Sequence, residues 1–333
     1  MTDQQSELDR QIRKPDQPVV KTLGIVASSR QSGSSSGAIA AGLQFLFARR
    51  QQRGWSLCSP ATRESAAWVT AFVLARLSDM PSHYIGYVQR RQIEDSLDWL
   101  MEIRTPKGGW GFGRAGSADD ADSTAWSIVA LRQHGRAVPD DSLELLRRCR
   151  RGDGGIAIFP GAEAASSVDA TAIAVRALAS IDASSSEFLA SYLRTDLHRR
   201  PCRLDSSFFV SSILMDWEPG TAPWFVVNAV RQLACALPAE GAWEQALRLY
   251  CLMRLRMQTA WPLAAGLRRM QLPDGSWPGS AVLASIAGGY APQSEPHSDQ
   301  HGVLATVTAM SALAMGDLQP GLYFGSDLPF RRL

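Results

Sequence analysis

Asp120 and Asp122 stand one residue apart in the segment GGWGFGRAGSADDADSTAW at 108–126, and they are the residues best placed to do acid chemistry. A carboxyl group protonates an unreactive centre only if it still holds its proton at neutral pH and is kept from water. Two carboxylates at this spacing near a helix start disfavour each other's ionisation, so the pair keeps one proton and titrates jointly. A helix N-terminus favours the anion, so burial and like-charge coupling have to outweigh it. Asp122 and Trp126 are four residues apart and share a helix face, which turns the acid and a large π surface toward the same space. A desolvated cation gains roughly 2 kcal/mol or more over such a face, and Trp110, Phe112 and Trp126 all belong to this segment.

The elements that position this pair come from an internal repeat. A helix ends in a basic stretch, a Gly-rich turn follows, and a second, more apolar helix begins near an acidic residue. LQFLFARRQQRGW, ending at Trp55, precedes Glu64-Ser-Ala-Ala-Trp68; LDWLMEIRTPKGGWGF precedes Asp122-Ser-Thr-Ala-Trp126; LELLRRCRRGDGGI precedes Asp169-Ala-Thr-Ala-Ile173. A fourth copy is degenerate around HRRPCR and Asp205, a fifth near residues 222–256 lacks the turn, and the sixth is clear in LAAGLRRMQLPDGSW with Trp277, followed by Asp299-Gln-His-Gly-Val303. Each pair joins a one-faced amphipathic helix to one that is apolar nearly all round, the signature of an outer and an inner ring. The expectation is an all-α fold, a single (α/α)6 barrel (toroid) of six helix pairs over residues 36–333, behind a polar, Ser/Gly-rich tail at 1–35. Trp55 and Trp277 are expected to pack in turns. Acidic residues at inner-helix starts are ordinary N-caps, and Asp120 together with the flanking aromatic residues is what separates Asp122 from its copies.

Composition narrows the function. Hydrophobic residues at 45% and charged residues at 20% provide a large core and too many charges for a membrane-embedded bundle, while Lys+Arg 34 against Asp+Glu 32 gives no electrostatic reason for a nucleic-acid partner. Five scattered cysteines without a CxxC pair point to a reducing, cytoplasmic setting. The first twenty residues lack the apolar run of a signal peptide. Peripheral contact with a membrane surface is compatible with a greasy substrate, and oligomeric state is not legible.

QLPDGSW at 271–277 closely resembles the QxxDGxW repeat of squalene–hopene and related triterpene cyclases. GGWGFGRAGSADDADSTAW is similar to the cyclase segment in which a Gly-Gly-Trp-x-Phe turn leads into DxDDTA, here Asp120-Ala-Asp122-Ser-Thr-Ala125. The C-terminal FGSDLPF resembles the aromatic segment that closes those enzymes. The likeness spans residues 36–333 and corresponds to the catalytic barrel alone, as in monodomain class II terpene cyclases. It implies that Asp122 is the general acid, with Asp120, Thr124 and Asp169 in the catalytic group. It also implies a substrate hollow lined by Trp110, Phe112, Trp126, Ile173, His301 and Phe324, and neither a cofactor nor a metal. Two departures stand out. Ser123 replaces an Asp, and Ile173 replaces the His that supports the acid in squalene–hopene cyclases.

The expected reaction is protonation of an alkene or epoxide in a C15 or C20 isoprenoid, a prenylated aromatic in preference to a free diphosphate. Glu94…Asp98 and Asp140…Glu144 nominally match magnesium–diphosphate motifs, but apolar residues interleave them as on a solvated helix face. One alternative is a protein prenyltransferase β-like subunit, whose zinc site would need a thiolate where Asp122 stands. Another is a catalytically inert barrel that binds lipid or protein.

Overall fold

The structure, a computed structural model, describes residues 35–57, 66–112, 118–161, 165–196, 207–215, 223–236, 241–280, 299 and 301–317. All fall within one unit, Gly33–Leu333. Twelve α-helices are seen among these residues: α1 (Ser35–Ala48), α2 (Ala67–Ser78), α3 (Tyr87–Glu102), α4 (Ala121–Gln133), α5 (Asp140–Arg148), α6 (Val168–Leu178), α7 (Ala183–Asp196), α8 (Ser207–Met215), α9 (Trp224–Ala236), α10 (Ala242–Arg254), α11 (Ala260–Arg269) and α12 (Val303–Asp317). A short hairpin, β1 (Ile156–Ala157) and β2 (Ser166–Ser167), joins α5 to α6 with Ile156 opposite Ser167.

Burial separates the helices into two kinds. In α5, DDSLELLRR, only Ser142, Leu145 and Leu146 are buried, while Asp140 and Asp141 in the first turn and Arg147 and Arg148 in the last complement the helix dipole. In α4 every residue from Ala121 to Leu131 is buried, and in α2 every residue from Ala67 to Leu77. The even-numbered helices form a closed circuit: α2 packs on α4, α4 on α6, α6 on α8, α8 on α10, α10 on α12, and α12 returns to α2. The odd-numbered helices lie against them, α1 on α12, α3 on α2 and α4, α5 on α4 and α6, α7 on α6, α9 on α8 and α10, and α11 on α10. The fifth repeat, without a turn signature, is nonetheless a helix pair, α9 and α10. No helix among the described residues is long and apolar enough to cross a membrane.

One device joins four of the odd helices, α1, α3, α5 and α11, to the even helix after them. The fourth residue of the even helix is a threonine whose hydroxyl accepts the backbone N–H of the residue closing the preceding turn: Thr70 from Trp55 (3.0 Å), Thr124 from Trp110 (3.0 Å), Thr171 from Ile156 (2.8 Å) and Thr306 from Trp277 (3.0 Å). Where that residue is tryptophan, its indole N–H caps a carbonyl at or near the end of the odd helix, Leu46 (2.8 Å), Leu100 (2.6 Å) or Leu267 (2.7 Å). In QLPDGSW, Gln271 also donates to Ala38 O of α1 (2.8 Å), and Asp274 accepts the Ser276 N–H (3.0 Å). Gly275 holds φ +89 and would drive a Cβ into the Ala41 carbonyl, so only glycine closes that turn beside α1. Thr306→Val removes one staple and leaves the buried Trp277 N–H without an acceptor. It is expected to lower stability by about 1–3 kcal/mol in denaturant unfolding, and no loss would refute a structural role for the staple.

Candidate active site

The threonine staple fixes the register of α2, α4, α6 and α12, and with it which of their residues share a level; α10 is aligned with them by its helix start. Trp68, Asp122, Asp169, Trp243 and Leu304 are each the second residue of their helix; Phe72, Trp126, Ile173, Leu247 and Thr308 lie one turn further. The repeat as read in the sequence is shifted here: it pairs Glu64 with Asp122 and Trp68 with Trp126, whereas the staple pairs Trp68 with Asp122. Acids do stand at the starts of α4 and α6, but Asp122 and Asp169 lie in the first turn and do not cap it. Asp120 is the N-cap of α4 and accepts the Ser123 N–H at 2.7 Å, and Ser167 caps α6 through the Ala170 N–H. Asp299 reaches α12 from upstream, accepting the Ala305 N–H at 3.0 Å. Glu64 and Asp205 lie outside the described residues. Because Asp120 occupies the capping position, the Asp122 carboxyl is left for other work.

That carboxyl is buried in the first turn of α4. Burial, reinforced by the neighbouring Asp120, pushes Asp122 up to about 8, against a downward pull from the Trp68 indole N–H. Burial likewise raises Asp120 to about 7, with Asp119 adding to it, while the Ser123 and Phe112 N–H groups and the Ser123 hydroxyl pull it back. These donors favour charge on Asp120, so the proton of the pair belongs on Asp122.

Aromatic rings from four even helices form one cluster that includes Trp68, whose indole N–H acts on this acid. Trp68 stacks on Phe72 (5.7 Å) and lies 6.1 Å from Phe112 and 6.4 Å from Trp126. Phe72 meets Trp126 edge-on at 4.8 Å, Trp243 at 5.8 Å and Phe209 at 6.4 Å. Phe209 also lies 6.4 Å from Trp126 and 6.0 Å from Trp243. Since α2 and α8 are opposite one another in the circuit, the Phe72–Phe209 approach carries rings across its middle. The Phe72 and Trp126 rings of this cluster belong to residues one helical turn past the level of Asp122, about 6 Å along the axis.

No family model and no curated protein matches the sequence. Solved structures do match. A protein from Actinoplanes superposes with a TM-score of 0.64 at 21% identity, covering 85% of this chain and 100% of that one. The type II terpene cyclase MstE from Scytonema gives 0.62 at 19% identity, over 85% of this chain and 98% of that one. ent-Copalyl diphosphate synthase from Streptomyces platensis gives 0.51 at 20% identity, over 75% of this chain and 50% of that one. The chain has the fold of the type II terpene cyclases. Among these neighbours, MstE variants have been solved with geranylgeranyl dihydroxybenzoate, given as substrate, and with merosterolic acid A, given as product.

Within this cyclase fold the residues singled out from sequence divide. Asp120, Asp122, Phe112 and Trp126 come together. Trp110 does not line a hollow: its indole is bonded to the Leu100 carbonyl and its backbone to Thr124, as at Trp55 and Trp277, so it is a turn tryptophan. Thr124 is corrected on the same ground, since its hydroxyl accepts the Trp110 N–H and donates to the Trp110 carbonyl (3.3 Å), matching stapled threonines in repeats that lack an acid pair. His301 precedes α12; burial and Arg49, beyond the end of α1, both push its imidazole down. Asp169 stands at the acid's level on α6 and Ile173 is fully buried one turn on. Phe324 lies outside the described residues. The acidic motifs on the odd helices are ion-paired: Arg136 with Glu94 and Asp98 (3.0 Å), Arg104 with Asp141, and Arg147 with Glu144 (3.3 Å). No group of three or more potential metal ligands is gathered among the described residues.

Trp68, Phe72, Phe209 and Trp243 are the residues sequence reasoning missed. Trp68 and Phe72 are legible in the i, i+4 spacing of α2, whereas Phe209 and Trp243 fall in the two degenerate repeats. The raised Asp122 carries a sign that stability can test. The folded state holds a proton that the unfolded chain releases above about pH 4, so stability falls as pH rises from 4 toward 8. Asp122→Asn should therefore be more stable than wild type at pH 7, with the difference vanishing below pH 4 in chemical-denaturation curves. A less stable variant at pH 7 would mean that the carboxyl is ionised when folded.

Proposed function

We propose that this chain is a class II terpene cyclase, built as a single (α/α)6 barrel, that starts polyene cyclisation by direct protonation from Asp122. The observation that carries the reading is a buried carboxyl raised to about 8 and touched by Trp68, a member of a cluster of aromatic rings. The closed circuit of even helices, with odd helices outside it, supports the barrel. The acid's O–H adds its proton to the terminal alkene carbon of the substrate, or to an epoxide oxygen, and leaves a tertiary cation. The next alkene's π electrons close on that cation to form a ring and pass the charge inward. Loss of a proton from the last cation gives an isomer of the substrate, and Asp122 takes a proton back from solvent. Trp68, Phe72, Phe112 and Trp126 present π faces to the early cations, and Asp120, held as an anion by backbone N–H groups, steadies the charge left on the pair.

The substrate is a C15 or C20 isoprenoid, preferably prenyl-substituted on an aromatic acid. MstE, which this chain resembles over most of its length, was solved with a molecule of that class. The acidic motifs that would bind magnesium diphosphate are occupied by arginines here. Binding draws on burial, about 0.8 kcal/mol per methylene-sized unit, and on the shape of the aromatic cluster.

Incubation with farnesyl diphosphate, geranylgeranyl diphosphate and farnesylated or geranylgeranylated hydroxybenzoates should yield, for one of them, a cyclised product of unchanged mass. Asp122→Asn should lose at least about 100-fold in rate; full activity in that variant, or an inert wild type across the panel, refutes the reading. Replacing Trp126 by leucine removes a cation-facing ring worth about 2 kcal/mol. It should raise the share of partly cyclised or water-quenched products by roughly thirtyfold, read by mass spectrometry.

A further inference from the structure

An acid that must keep its proton at rest and give it to carbon needs a neighbour that stabilises the anion left behind. On one flank of α4, helix α6 brings Asp169, another acid, to the level of Asp122, and Ile173, one turn on, has no polar side-chain atom. On the other flank, α2 presents Trp68 as its second residue, at Asp122's own level. Trp68 is fully buried, and its ring is fixed between Phe72, Phe112 and Trp126. Its indole N–H, like that of Trp126, makes no hydrogen bond of full geometry, whereas those of Trp55, Trp110 and Trp277 each cap a helix carbonyl; of the two, it is the Trp68 N–H that acts on Asp122. A buried donor without a good acceptor costs about 1–3 kcal/mol, and the Trp68 N–H acts on a carboxyl that becomes a stronger acceptor once its proton has gone.

We propose that Trp68 is the positioning residue of the acid: its indole N–H, delivered from α2, receives the Asp122 carboxylate formed on proton transfer and so strengthens Asp122 as a proton donor. This rests on the cyclase reading for its catalytic consequence but not for the contact itself. The downward pull of Trp68 on Asp122 agrees with the geometry. The titratable group acting on the acid is Asp120 on its own element; Asp119 and the Cys149 thiol at the end of α5, itself pushed up to about 11 by burial, are coupled to Asp120, and Asp169 is the residue of α6 at the same helix position. All of these are acids, and the Trp68 N–H is the uncharged donor that opposes them.

The test is Trp68→Phe, which keeps the ring and deletes only the N–H. Asp122 is titrated without substrate by infrared difference spectroscopy against Asp122→Asn, and kcat is measured against pH. The carboxyl should titrate about one pH unit higher than in wild type. With substrate, kcat should fall several-fold with KM nearly constant, while the alkaline limb of the profile moves up by the same unit. A merely structural residue would lower the plateau without extending it to higher pH. An unchanged or lowered Asp122 titration overturns the proposal. Should Trp68→Phe not fold, the indole N–H resonances of wild type take its place. One of them should shift with the Asp122 titration and lose that shift in Asp122→Asn, and a spectrum in which none does so overturns the proposal. A raised Asp122 titration in a protein that cyclises nothing upholds the contact and defeats the cyclase reading alone.

Discussion

A carboxyl group held where ionisation is unfavourable is the constraint on which the rest of this structure depends. Water stabilises a carboxylate by far more than a protein interior does, so a buried aspartate either finds donors or keeps its proton. The two aspartates of α4 divide those outcomes. Asp120 takes the N-cap and with it the backbone N–H groups that every helix start leaves open. Asp122, two residues on, is left with a like charge beside it and an aromatic neighbour in Trp68. The helix dipole pulls toward ionisation of both, and burial outweighs it at Asp122 because the nearest backbone donors already serve Asp120.

The frame that holds this arrangement is repetitive. Threonine staples, joined at three of them by indole-to-carbonyl bonds, fix how four of the turns deliver their even helices, and the staple recurs where no chemistry is expected, at Thr70, Thr171 and Thr306. Function is written on that frame by substitution at equivalent positions. The second residue of the helix is tryptophan in α2 and α10, aspartate in α4 and α6, and leucine in α12. An acid thus acquires an aromatic neighbour at its own level without any change in backbone.

Most of the fold was legible in the sequence because the turn signature and the alternation of amphipathic with wholly apolar helices survive in four of the six copies. The fifth pair followed from length alone, and α9 and α10 occupy it. Less of the site was legible. The Asp120–Asp122 spacing and the Trp126 face were visible because they lie within one helix. The Thr124 and Trp110 roles were misjudged because a motif records proximity along the chain, whereas the hydrogen bonds that occupy both residues appear only when two helices are set side by side. Matching the repeats by their acids, instead of by their threonines, also hid Trp68, and no local pattern announces that Phe209 and Trp243 meet Phe72 across the circuit.

The central claim is that Asp122 carries a proton at neutral pH in the folded, substrate-free protein. An infrared difference spectrum of wild type minus Asp122→Asn at pH 7 tests it most directly. A carbonyl band of a protonated carboxylic acid, present in wild type, absent from the variant and fading only as pH rises through about 8, is the predicted result. A difference spectrum showing only carboxylate bands at pH 7 would contradict it.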